Sequence, residues 1–442
     1  MTTMPIPKPT PLSTMPVPPI PPELIPKPMP LGVCVFADGD VANLAVVLKR
    51  TYSFKHNTRA TVHDKQLPLS LSNVPHDPLS KGQVGSYKEV PEIVGNRPGT
   101  DIIVRAHARP ASPMTSMRVG VRVGSLNHEA EVIGDRNADL VQGKLVFSPA
   151  KPFESMPLRW ELAYGGEDQI FKADLGNQIA KHMNSEQLRK TFAFAQDLKK
   201  PIPPIAYPRN RVGSGYCLTT DVKLAAGRAL PNIERVNDRL TPERFICSDP
   251  ARWHQQPLPI GFDFMSVFEF PRTAMMGLPP ICDAPLDSLA EVTRGFVPAG
   301  YCKGNFLTAE RNAQPGLIHP LLGRCAPLGL RSETLLGDET ITLTGMHPAH
   351  EQLAVVLPRQ RVQFSIPVRE KFIEAFGDLA QVFIDVDQSL LTLIWIARTP
   401  LQRALQPGDD AKILEGTKWR TLDDSGAGPQ AGPMSSGGRA AS

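Results

Sequence analysis

The stretch VFIDVDQSLLTLIWIAR, Val382 to Arg398, sets Asp387, Gln388 and Ser389 between two apolar runs. Asp and Ser suit a tight turn, and β-branched and aromatic residues prefer extended backbone, so the stretch predicts an antiparallel hairpin. Its second arm, LLTLIWIA from Leu390 to Ala397, has the length of a strand and falls far short of the roughly eighteen apolar residues that a membrane-crossing helix needs. Working outward, the same short extended runs recur. VANLAVVLKRTYSF (Val41 to Phe54), GTDIIVRAHARP (Gly99 to Pro110), MRVGVRVGSL (Met117 to Leu126), EAEVIGD (Glu129 to Asp135), GDETITLTGMHP (Gly337 to Pro348) and LAVVLP (Leu353 to Pro358) are separated by Gly, Asn, Asp or Pro turns and read as strands. The 46 prolines argue for many short elements and against a helical bundle, because proline brings no N–H to a helix or a central strand. The predicted fold class is mainly β: a two-lobed antiparallel β-sandwich or open barrel with one or a few short helices.

The organisation expected along the 442 residues is a proline-rich extended arm (1–30), an N-terminal β-rich lobe (31–200), a C-terminal β-rich lobe with long ordered loops (201–400) and a flexible tail (401–442). Twelve of the first thirty residues are proline, a near-alternating pattern that favours polyproline II. At about 3.1 Å per residue such an arm reaches roughly 90 Å. The same prolines interrupt any apolar core of a secretory signal, so a soluble, cytoplasmic protein is expected. One helix is predicted in NSEQLRKTFAFAQDLKK, Asn184 to Lys200, where Leu188, Phe192, Ala195 and Leu198 share a face and the prolines that follow end it. After Trp419 the chain turns small and polar and reads as disordered.

Chemistry is hard to find. Against 48 Lys plus Arg stand 44 Asp plus Glu, a net +4 spread over the whole length, which is a poor footprint for nucleic acid. The six cysteines, Cys34, Cys217, Cys247, Cys282, Cys302 and Cys325, have no close pair and read as buried free thiols. A zinc-protease helix needs a second histidine four residues on; Ala354 follows His350-Glu351 and Val132 follows His128-Glu129. The GSG at Gly213 to Gly215 lacks the third glycine of a dinucleotide loop, and no nucleophile elbow occurs. Weaker constellations remain: His347 and His350 with Asp338 and Glu339 upstream, and Cys302, His319 and Cys325 as a dispersed metal set, while Asp38 and Asp40 around Gly39 read as a turn before a strand with solvent-facing carboxylates. Trp160, Tyr164 and the pair Gly165-Gly166 form a bulky strand that ends in two glycines, which reads first as a core aromatic on a strand leading into a turn and also permits a close backbone approach or a bulge. No cofactor or metal is expected.

Taken in order, LAVVLKRTYSF (44–54), Pro98 to Asp101 with IIVRAHARP after it, VIGDR (132–136), PFESMPLRWELAYGGED (152–168), YPRNRVGSGY (207–216), LPNIE (230–234), PLPIGFDFM (257–265), LRSETLLGDETITLTGMHP (330–348) and LAVVLP (353–358) resemble a bacterial family of unknown-function domains encoded beside the spike proteins and effectors of type VI secretion systems. The resemblance spans roughly Gly32 to Arg398. Where the family shows Asn-Pro-x-Gly-x-Gly-aromatic, this chain has Tyr207 to Tyr216, which keeps the pattern only in part. The resemblance implies an accessory protein, an adaptor or chaperone that loads a secreted effector or spike-tip protein on the spike, with no defined enzyme activity. Protein partners are therefore expected, and neither nucleic acid nor membrane. The residues expected to grip the partner are Trp160, Tyr164, Arg209, Arg211, Tyr216 and Trp253, because aromatics and arginines dominate interface energetics. The competing readings are a β-sandwich hydrolase using paired acids with His347 or His350, and a structural piece of the spike.

Overall fold

The computed structural model describes residues 30–38, 41–71, 74–78, 85–95, 97, 99–168, 206–207, 209–219, 221–247, 255–265, 324–401, 405 and 408–423. The protein is mainly β. Its main sheet is built from β1 (Leu31–Asp38), β2 (Val41–Lys55), β3 (Thr58–Val62), β4 (Thr100–Arg105), β5 (Ser116–Val123), β6 (Leu126–Ile133), β7 (Ile233–Arg235), β8 (Arg331–Ser332), β9 (Thr340–Thr344), β10 (Gln352–Val356), β11 (Gln360–Val368), β12 (Lys371–Asp385), β13 (Leu390–Pro400) and β14 (Lys418–Asp423). The order across the sheet is β7-β6-β5-β9-β10-β3-β2-β13-β12-β11-β14, with β1 beside β2, β4 beside β12 and β8 beside β4. Three α-helices occur among the described residues: α1 (Val222–Ala225), α2 (Pro242–Phe245) and α3 (Asp409–Gly416). None is long and apolar enough to cross a membrane. The helix expected at 184–200 lies outside the described residues, as do the first 29 residues.

The quoted hairpin is β12 and β13. They pair from Asp385↔Leu390 to Asp378↔Ile396, and Asp385 Oδ1 accepts the Gln388 N–H at 3.1 Å to hold the turn, in which Ser389 takes a φ of 53°. β13 is buried almost without interruption because it lies between β2 and β12 with both of its faces covered. Leu391, Leu393, Trp395 and Ala397 enter the main core with Leu44, Val46 and Leu48 of β2. Ile394 and Ile396 point the other way, into a smaller cluster with Ala45, Val47, Ala380 and Leu69.

Most pairings are antiparallel, as the alternation predicts, but β10–β3 and β4–β12 are parallel, so the sheet is mixed. Both parallel pairs join segments far apart in the chain, which no hairpin turn could bring together. The expected division at residue 200 is not visible in the sheet. β2 pairs with β13, β5 with β9 and β4 with both β8 and β12, so residues on either side of 200 contribute neighbouring strands. The expected flexible tail is also corrected. Residues 409–416 form α3, whose Ile413 is buried, and Lys418–Asp423 form β14, whose Trp419 packs on the main core. Residues from 424 onward lie outside the described set.

Candidate functional site

The two motif stretches of the sequence meet in one buried knot. A 3-10 turn, Trp160–Leu162, leads into Tyr164–Gly165, which pairs in parallel with Ser214–Gly215. Gly166 N–H donates to Asn210 O at 2.8 Å, Tyr207 N–H to Gly166 O at 2.8 Å and Tyr216 N–H to Gly165 O at 2.9 Å. Asn210 Nδ2 closes the crossing by donating to Trp160 O and Tyr164 O at 2.9 and 3.1 Å. Backbones can approach this closely only because the positions carry no side chain: a Cβ on Gly213 would lie 2.4 Å from Ala163 O. The three tyrosine rings pack over the knot, Tyr164 edge-on to Tyr207 at 5.1 Å and Tyr207 tilted against Tyr216 at 5.3 Å. The Tyr207 hydroxyl donates to Pro257 O at 3.0 Å and accepts from Arg209 Nη1 at 3.1 Å.

This placement corrects the expected gripping surface. Trp160, Tyr164, Arg209 and Tyr216 are only 2, 1, 1 and 3% exposed. The aromatics fill the protein's own interior, where Trp160 Nε1 donates to Asp263 O at 3.2 Å. Of the five described residues of the named set only Arg211 reaches the surface, ion-paired with Glu167 at 2.8 Å; Trp253 lies outside the described residues. Burial also pushes the Cys217 thiol up to about 12 and raises the three tyrosines, so these groups stay protonated and offer no nucleophile near neutral pH.

A second cluster gathers imidazoles and carboxylates at the ends of β4 and of the β12–β13 turn. Buried Asp263 accepts from Arg105 Nε at 3.0 Å and meets His76 Nε2 at 3.0 Å, and Arg105 lies 3.7 Å from Asp385 and 4.8 Å over the Phe383 ring. Asp387 holds His107 Nδ1 at 2.8 Å and Arg109 Nη2 at 2.9 Å. Burial alone would raise the Asp387 carboxyl, but the hydrogen bond from Arg109 and the pairing with His107 outweigh it and lower its pKa. Beyond them His347, His350 and His56 stack like plates, with ring centres 4.8 and 4.2 Å apart. His56 was not singled out from the sequence, because a lone histidine in the turn after β2 carries no pattern.

Two rings of the stack accept hydrogen bonds. His347 Nδ1 accepts the Ala349 N–H at 3.1 Å and His56 Nδ1 accepts the Ala354 N–H at 3.2 Å. In a neutral ring an Nδ1 that accepts leaves the proton on Nε2, the opposite of the tautomer a metal-binding Nε2 needs. Among the described residues no group of three His, Cys, Asp or Glu is placed to hold a metal ion. Partial burial, then His350, Arg109 and His56 nearby, lower the His347 pKa against the opposing pull of Asp387. The acids of the hydrolase reading are not here: Asp338 and Glu339 lie before β9 and the histidines after it, about 17 Å of strand away. Glu339 instead accepts the Leu336 and Gly337 N–H groups at 2.7 and 2.9 Å. Cys325 is buried, its thiol 3.4 Å from Gln381 Oε1, while Cys302, His319, Gly39 and Asp40 lie outside the described residues.

One histidine is deeply buried. His128 of β6 donates from Nε2 to Gly261 O at 2.9 Å and meets the edge of Phe262, and burial pushes its pKa from 6.5 down to about 4. The folded state therefore binds this proton less readily than the unfolded chain. The stabilisation is complete above pH 6.5 and is lost as pH falls toward 4. At 1.36 kcal/mol per unit the loss is about 3 kcal/mol. Urea unfolding at pH 7.0 and at pH 4.5 measures it. The His128→Gln variant, which keeps a donor toward Gly261 O but cannot titrate, should show a flatter pH dependence by that amount; an unchanged slope would refute the assignment.

No curated protein and no solved structure shows significant similarity to the chain. A protein-family model does match, over residues 40–396, which takes in β2 through most of β13 and therefore both the tyrosine–glycine knot and the imidazole cluster. The chain belongs to the family described as "Uncharacterized protein conserved in bacteria (DUF2169)".

Proposed function

We propose that this protein is a type VI secretion accessory protein, a cytoplasmic adaptor or chaperone that holds a secreted effector or spike-tip protein by noncovalent contact and aids its loading on the spike. The reading rests on the ordered resemblance of the segments from Leu44 to Pro358 and assigns the protein no chemical step, cofactor or metal. The observation that carries it is a surface. Phe372 and Phe376 of β12 are each 59% exposed and, four residues apart on a strand, share one face. Opposite them in β11 stand Pro367 and Gln363, so the two rings project from a part of β12 that is paired on its β11 side. Large apolar side chains displayed together mark interaction sites, and burying a phenylalanine stabilises by about 1.5–3 kcal/mol.

Copurification with the products of neighbouring spike, tip and effector genes tests the reading. The chain should recover at least one of them, and the Phe372→Ala/Phe376→Ala variant should recover at least tenfold less while unfolding at the same temperature. Failure of the unaltered chain to recover any such product would refute the secretion role. Equal recovery by the variant would exclude this face as the contact.

A further inference from the structure

β14 ends the main sheet. It pairs with β11 from Gln360↔Asp423 to Ser365↔Lys418 and has no strand on its other side among the described residues. An edge strand leaves alternate N–H and C=O groups without ladder partners and is a template for an added extended segment. Its side chains alternate in character as well as direction. Trp419 stands opposite Phe364 and faces the main core, while Lys418 and Arg420 are exposed on the other face. Arg361 of β11 joins them on that face, opposite Leu422. Arg420 spends its fork on the neutral Gln363 Oε1 at 2.9 and 2.7 Å, and none of the three cations has a carboxylate partner among the described residues.

We propose that the free edge of β14 takes up an extended segment of a partner protein in which acidic residues alternate with apolar ones. The acids would lie beside Lys418 and Arg420, and the apolar residues would lengthen the core-side row begun by Trp419. The proposal rests on the binding reading above and supplies the chemistry of the partner's contact segment. β14 lies beyond residues 40–396, the part of the chain that the family model matches. The competing account is that the cations only repel other strands, which edge lysines do in many sheets; on that account nothing binds.

The test uses the full chain and a labelled peptide, Glu-Val-Glu-Leu-Glu-Val-Glu, in fluorescence anisotropy. Controls are the same peptide with Lys for Glu, and with alternate peptide nitrogens methylated to remove strand hydrogen bonds. The acidic peptide should bind, the lysine peptide should not, and methylation should weaken binding at least tenfold. The Lys418→Glu/Arg420→Glu variant, altered only at exposed side chains, should lose about tenfold for the acidic peptide and gain binding of the lysine peptide. Absence of binding by the acidic peptide, or binding indifferent to methylation or to charge reversal, overturns the proposal. The two failures are separable. Peptide binding as described without recovery of any neighbouring-gene product removes the secretion reading and leaves the edge; recovery of such a product together with no peptide binding removes only the edge.

Discussion

Asp101→Ala is expected to destabilise the fold by about 3–5 kcal/mol, enough to consume a large share of the stability of an ordinary domain. Asp101 lies in β4 with no exposed surface, and its position sets three charges against one another. Its Oδ1 is 2.5 Å from Arg324 Nε, an ion pair without hydrogen-bond alignment, and its Oδ2 is 3.8 Å from Arg97 Nε. Oδ2 also accepts the N–H groups of Cys325 and Ala326 at 2.6 and 3.2 Å. Burial opposes the charge, but Arg324 and Arg97 outweigh it, so the carboxyl titrates below its ordinary value and stays ionised. Removing the carboxylate takes the anion away from Arg324, itself 4% exposed, and from beside Arg97, 1% exposed. An uncompensated buried charge is the costly half of such a change, whereas removing both partners is far milder. Arg97 retains its bond to Gln381 Oε1 at 2.6 Å, which softens but does not cancel the loss. Urea unfolding of Asp101→Ala gives the size of the effect. The double variant Asp101→Ala/Arg324→Met, which also removes one stranded charge, should recover part of it. A loss under 1 kcal/mol, or a double variant worse than the sum of the singles, would show that the cluster does not act as an ion-paired clamp.

That clamp belongs to the part of the fold that the sequence conceals. The β12–β13 hairpin and β2 are legible because each is a local pattern: apolar runs of strand length, a short polar turn, and neighbours supplied within a few residues. The pairing of β4 with β12, Asp101↔Gln381 through Arg105↔Asp385, joins positions with most of the chain between them, and nothing in either segment names the other. The same distance hides the mixing of residues from before and after 200 in one sheet. β14 escapes for a different reason. The small polar residues after Asp424 dilute the composition of the tail, while six residues with Trp419 at an inward position suffice to complete an edge once β11 is there to receive them.

The binding residues illustrate a sharper limit. Tyr, Trp and Arg are enriched both in interface hot spots and in the walls of buried knots, so residue type alone cannot decide between surface and core. The discriminating signal lay beside them. Gly165 and Gly166, and Gly213 and Gly215, bring two backbones into contact, and a crossing that tight draws the flanking aromatics inward to cover it. The reading of Tyr164-Gly165-Gly166 as a close backbone approach agrees with the structure, and the reading of Tyr164 and Tyr216 as contact residues does not. Phe372 and Phe376 had no comparable flag, since an apolar residue on a strand is assigned to the core until its other face is seen to be open.

Gly166→Ala carries the second large expectation, a loss of about 3 kcal/mol or more. Two penalties coincide there. Gly166 has a φ of +94°, where an L side chain is strained, and a Cβ would come within 2.2 Å of Gly213 O. The obstacle is backbone, and it cannot step aside cheaply. Gly166 itself is tied at both ends, to Asn210 O and from Tyr207 N–H, and the next residue on the far strand, Ser214, donates to Ala163 O at 2.9 Å. Relief would have to break one of these buried bonds, each worth about 1 kcal/mol. Gly124, in the turn between β5 and β6, provides the comparison. It has a φ of +53° with nothing within 4 Å of its Cβ position, so Gly124→Ala meets backbone strain alone and should cost about 1 kcal/mol. Thermal and urea unfolding of both variants separate the contributions: the difference between them is the cost of forcing the knot apart. Because the knot is interior, any loss of partner recovery by Gly166→Ala should follow its loss of folded protein and vanish at temperatures where it remains folded. If Gly166→Ala were no worse than Gly124→Ala, the crossing would be a loose loop, and the burial of Tyr164, Tyr207 and Tyr216 would need another cause.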